Sequence, residues 1–240
     1  ISISLADLIN SKHSLVTYGK DTSYVLFDKE AQYDFDPTKR DNLTFMYHSL
    51  YLLGGKLRYY HHYNDTIYTL TNNYDQKAVY YIDYGGYSEQ PQISARDYGS
   101  YDAKIITPML IRESDKLVFM SFIMRGFCRE PILTTSFGKE GNEVDYYSTF
   151  DYAVYDKQKG EVKFLLHSVK DHQGFNEDIL GGMPFWPSYI SKNQHLVMHE
   201  QASDALIYFD KYPPVSKELK ELSEKINEES NPVIIIASSK

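Results

Sequence analysis

The 240 residues, 42% of them apolar and 24% charged, are enough for one large β domain or two smaller ones with a sizeable core. The formal net charge is -8 and no basic run occurs, which argues against a nucleic-acid backbone as partner. Cys128 is the only cysteine, excluding an intrachain disulfide and a multi-cysteine metal site, and no apolar stretch approaches the ~20 residues of a membrane helix.

Aromatic residues reach 15%, with 23 Tyr, 12 Phe and one Trp. Tyrosine suits a half-buried pleated surface, ring packed and hydroxyl wet, so the excess points to β-sheet. The opening ISISL lacks an initiator Met, a basic segment and a lipobox cysteine, and reads as the start of a processed or truncated chain. Strands are expected at 15–18 and 23–27, followed by a charged, polar loop over 28–41. The clearest pattern starts at Leu43. Runs at 43–52 (LTFMYHSLYL), 56–62 (KLRYYHH), 66–71 (TIYTLT) and 78–84 (AVYYIDY) are separated by hairpin-length turns rich in Gly, Asn and Asp. This is the pattern of a four-stranded antiparallel meander, the shape of a propeller blade.

A second group follows, with strands at 105–112, 116–124, 149–156 and 161–167 and a polar loop over 126–147. A third has strands at 185–191 and 194–200. It is interrupted by the one convincing helix, at about 214–227, where Val215, Leu219, Leu222 and Ile226 recur at helical spacing. The terminal run at 233–237 (VIIIA) reads as a strand buried on both faces. Together these groups give a repeat of roughly 45–65 residues, in the range of propellers and solenoids. The expected fold is therefore all-β: a single propeller domain over 1–240, of four-stranded antiparallel blades, with one helix before the final strand.

Candidate sites are sparse. The adjacent His61 and His62 point to opposite sheet faces, and so do His199 and Glu200. His195 and His199 share a face but lie ~13 Å apart at strand rise, too far for one ion. Arg125 and Arg129 flank Cys128 and would favour its thiolate, yet no spacing identifies a histidine partner. No phosphate loop or dinucleotide fingerprint occurs, and no cofactor is expected. Asp145, Asp151, Asp171 and His172 lie in or near long loops without calcium spacing.

The stretch NEDILGGMPFWPSYIS (176–191) carries the candidates for ligand binding: Glu177, Asp178, Phe185 and Trp186. The two acids would either serve a ligand or orient the loop through backbone amides near Gly181. Trp186 would be either an exposed platform for a sugar or, as favoured here, a wedge between neighbouring sheets. The tyrosine pairs 59–60, 80–81 and 146–147 should each place one ring in the core and one at the surface.

Three segments resemble a known family. NDTIYTL (64–70) followed by YYIDYGG (80–86), the 176–191 stretch, and the tail LKELSEKINEESNPVIIIASSK (219–240) are similar, in order, to segments of Bacteroidetes cell-envelope six-bladed β-propellers of the TolB-like or NHL-like group. The chain looks like the C-terminal two-thirds of such a protein, with about four blades. The resemblance implies a periplasmic or outer-membrane-associated location, with a lipid anchor in the missing N-terminal part. It supplies no catalytic residues. The expected function is a non-catalytic envelope protein that binds a glycan or peptide, or serves as a scaffold for another envelope protein. The alternative is a carbohydrate-active hydrolase or lyase using loop carboxylates.

Overall fold

The structure is a computed structural model that describes residues 2–5, 13–18, 23–28, 48–61, 65–71, 75–87, 104–125, 127, 133–137, 144–165, 174–177 and 180–238. The chain divides into two compact units. The first comprises Ile1–Ile111 and Ser121–Phe150, the second Arg112–Met120 and Asp151–Lys240.

The first unit opens with an antiparallel sheet of β1 (Ser2–Leu5), β2 (His13–Tyr18) and β3 (Ser23–Asp28), of which β1 was not expected from the sequence. The expected meander is present over the described residues from 48: β4 (His48–Leu53), β5 (Lys56–His61), β6 (Thr66–Leu70) and β7 (Gln76–Tyr81) lie in that order in one antiparallel sheet, and 43–47 lie outside the described residues. Its first turn follows from two glycines. Leu53 pairs with Lys56, and Gly54 and Gly55, at φ 55° and 76°, form the two-residue loop whose twist matches the flanking strands. Tyr59 and Tyr68 are cross-strand partners with rings stacked at 5.4 Å. Both Tyr59 and Tyr60 are buried, contrary to the alternation expected of that pair. In the 80–81 pair Tyr81 is exposed, as expected, while Tyr80 is half-buried and not in the core. The side chains of 146–147 lie outside the described residues.

The next sheet contains β8 (Ile105–Glu113), β9 (Leu117–Arg125), β10 (Leu133–Phe137), β11 (Val144–Asp156) and β12 (Glu161–Phe164) in the order β10-β11-β9-β8, with β12 also on β11. The expected loop at 126–147 thus contains a strand and the first residues of another. β11 is long enough to pair β10 along 144–148 and β12 along 153–156.

In the second unit, the turns of this sheet are fastened by a buried charge pair. Lys157 Nζ lies 2.6 Å from Glu113 Oε1 and donates to the Ser114 carbonyl, and the Glu113 side chain is fully buried. The remaining sheet has the order β13 (Tyr189–Ile190), β14 (His195–Glu200), β15 (Val233–Ser238). Two helices separate β14 from β15, not one. In α1 (Ala202–Lys211), Ala202, Ala205, Tyr208 and Phe209 make the buried stripe. Its centre, LIYF, favours a strand locally, and only the packing of that stripe makes it helical. α2 (Lys217–Ser223) is shorter than the expected 214–227 because the Ser216 hydroxyl accepts from the Leu219 amide and caps it there. β15 is not buried on both faces. It alternates: Val233, Ile235 and Ala237 pack on the core, while Ile234 and Ile236 lie on the opposite face and are exposed. The described residues are therefore mostly β, with sheets of three, four, five and three strands and two helices.

Two outcomes follow from these contacts. Lys157→Met removes the ammonium beside a fully buried carboxylate and should lower unfolding stability by about 3 kcal/mol in urea titration. In the first unit, burial and then the neighbouring Asp83 carboxylate raise the pKa of Asp65. The native state then holds more protons than the unfolded chain between the ordinary carboxyl pKa and the raised one, so stability falls as pH rises through that window. Asp65→Asn should remove this decline from a pH series of urea midpoints.

Candidate functional site

The 174–187 segment is fixed at both ends before it presents anything to solvent. Phe175 and Phe185 form an isolated antiparallel bridge, each amide donating to the other's carbonyl at 2.8 Å. That approach needs Gly174, since a Cβ there would sit 2.6 Å from the Phe185 carbonyl oxygen. Inside the loop, Glu177 Oε2 accepts from the Gly182 amide at 2.6 Å, and both carboxylate oxygens lie 3.0 Å from the Leu180 amide. Gly181, at φ 74°, supplies the left-handed backbone that turns those amides inward. Leu180 in turn accepts from the Ser216 amide, the cap of α2. Glu177 is therefore placed as a loop anchor. Asp178 lies outside the described residues.

Trp186 is buried. Its indole packs at 4.5 Å from the Tyr152 ring of β11, 5.6 Å from Phe119 of β9 and 5.7 Å from Phe175, and its amide donates to Met198 Sδ on β14. Within the second unit, it fills the space between Phe119 of β9, Tyr152 of β11 and the sheet of β13–β15. Phe185, also buried, belongs to the same core and lines the adjoining groove.

That groove has a volume of about 670 Å³, within the range of ligand sites. Its walls are Phe185, Phe209, Leu219 and Leu222, and one side is formed by all of β15. Glu177 is the only acid among its described lining residues, and its oxygens are directed to the loop amides. Sequence reasoning missed β15 and α2 as site elements. The signal was the terminal apolar run itself, read as wholly buried when half of it faces outward.

The other sequence candidates are not brought together. His195 and His199 are exposed on β14, and their Nδ1 atoms lie 2.8 Å from Ser238 Oγ and 3.0 Å from Ser188 Oγ. Among the described residues, no three His, Cys, Asp or Glu side chains form a metal-binding group. Cys128, Arg129, Asp171 and His172 lie outside the described residues, as do the side chains of His61, His62, Arg125 and Asp145. Asp151 is described and does not line the groove. No described helix is long and apolar enough to cross a membrane.

Residues 5–238 match the family model described as a domain of unknown function, DUF4934, and the chain belongs to that family. A crystal structure of a Bacteroides fragilis protein, predicted to be exported, is similar at 14% identity with a TM-score of 0.55. The match covers 99% of this chain and 61% of that one. This likeness carries the fold alone. No curated protein matches the chain.

Glu177→Ala leaves the Leu180 and Gly182 amides without their acceptor. It should cost about 1–2 kcal/mol, read from the fluorescence of the single tryptophan during urea unfolding.

Proposed function

We propose that this chain is part of a non-catalytic extracytoplasmic protein that binds a ligand in the groove between the 175–185 loop, α2 and β15. The observation that carries this reading is the groove's composition: an open, apolar cleft whose one described acid is spent on backbone amides. Such a lining removes apolar ligand surface from water, the dominant favourable term in association. Retaining or inverting glycoside hydrolysis needs two carboxyl groups ~5–10 Å apart across the scissile bond, and the described lining offers one. The binding reading is therefore preferred to a carbohydrate hydrolase or lyase.

The finer architecture is also part of the proposal. The β4–β7 meander and the sheets around it serve as blades of a six-bladed propeller of the TolB-like or NHL-like type, and this chain spans about four of them. The export predicted for the Bacteroides fragilis relative supports a location outside the cytoplasm, in the periplasm or at the outer membrane. A lipid anchor would then belong to a part of the protein beyond this chain.

Leu222 lines the groove yet is 41% exposed, so a charge there leaves the core intact. Leu222→Asp should weaken saturable binding of an anilinonaphthalene sulfonate dye about tenfold, which is ~1.4 kcal/mol. Equal dye binding by both proteins would remove the groove from consideration.

A further inference from the structure

We infer that the groove is a strand-addition site: its ligand is an extended peptide that pairs with the open edge of β15 as a fourth strand of the β13–β15 sheet. This deepens the groove reading above and rests on it.

The backbone directions lead to this assignment. Ser188 and Ser191 donate to the carbonyls of Val197 and His195, so these two residues of β14 turn their backbone groups toward β13. N–H and C=O directions alternate along a strand, so Leu196, Met198 and Glu200 turn theirs toward β15. Their register partners are Ala237, Ile235 and Val233. The intervening residues Ile234, Ile236 and Ser238 must then direct their N–H and C=O groups away from the sheet. Among the described residues, β15 pairs with β14 alone. The same alternation sorts the side chains by face: Ile234 and Ile236 are 56% and 64% exposed, while Val233, Ile235 and Ala237 pack on the core.

The cavity marks the same edge. Side chains alternate between the faces of a strand, so a cavity on one face touches every second residue. This one is lined by all six residues from Val233 to Ser238, which places it along the edge. The edge presents partial positive N–H and partial negative C=O groups in fixed alternation. An extended peptide backbone carries the complementary alternation at the same repeat; a sugar ring or acyl chain does not. Peptide residues opposite Val233, Ile235 and Ala237 would turn their side chains toward the apolar walls at Phe185, Phe209 and Leu219. The ligand class is thus a peptide with apolar residues at every second position.

The probe is a fluorescein-labelled octapeptide alternating valine and threonine between terminal lysines, titrated by anisotropy. With valines in the groove and the peptide antiparallel to β15, the threonine amides face β15. Methylation of those nitrogens should weaken binding at least about tenfold, whereas methylation of the valine nitrogens should leave it within about twofold. Ile236→Pro removes an outward N–H that the sheet itself does not use, and edge strands tolerate proline. It should keep the wild-type urea midpoint yet weaken the peptide about tenfold. The methylated peptides decide the matter on wild-type protein should that variant fail to fold. Equal binding of both methylated peptides overturns strand addition, as does binding of a neutral oligosaccharide but no peptide. Dye binding without peptide binding overturns it too, and leaves the groove reading standing. Binding of neither dye nor peptide overturns both.

Discussion

The packing of one indole organises the second unit. Trp186 meets Tyr152, Phe119 and Phe175 within 6 Å, with mixed stacked, tilted and edge-on geometries. A ring of this size held on three sides has one position, and its backbone follows. The Phe175–Phe185 bridge is drawn in with it, and the loop between them is then short enough for Glu177 to reach two of its own amides. The Trp186 amide donating to Met198 aligns the same segment with β14. The position of β15, one strand further on, and hence the groove, depends on that chain of contacts.

Buried charge in the same unit serves structure. Glu113 is buried yet held by Lys157, whose ammonium also reaches the Ser114 carbonyl. Asp115 donates its amide to the side chain of Gln194, a non-glycine residue at φ 65°. A left-handed backbone costs such a residue about 1 kcal/mol, which the hydrogen bond offsets. Polar groups spent on turns and loops leave the groove apolar, and its remaining directional chemistry is the backbone edge of β15.

How far the sequence revealed this follows from where local and tertiary signals agree. In the β4–β7 meander, alternation, hairpin glycines and β propensity coincide, and all four strands are where their pattern puts them. In α1 they conflict: LIYF reads as strand, and only burial of Ala205, Tyr208 and Phe209 decides for helix. β15 failed for a different reason. Four consecutive branched residues carry no alternation, so the sequence cannot distinguish a strand buried on both faces from one with a solvent face, and Ile234 and Ile236 were expected inside. The candidate site was half legible. Its acid and aromatics were found, together with their structural roles as loop anchor and wedge, but the strand that gives the groove its backbone edge was not.

The central claim is that β15 carries an open edge able to accept another strand, and amide hydrogen exchange tests it directly. In the free protein the amides of Ile234 and Ile236 should exchange orders of magnitude faster than those of Val233, Ile235 and Ala237, and saturating alternating peptide should slow that outward pair. Uniformly slow exchange along Val233–Ser238 before any peptide is added would contradict the account, because it would mean that the edge is already paired.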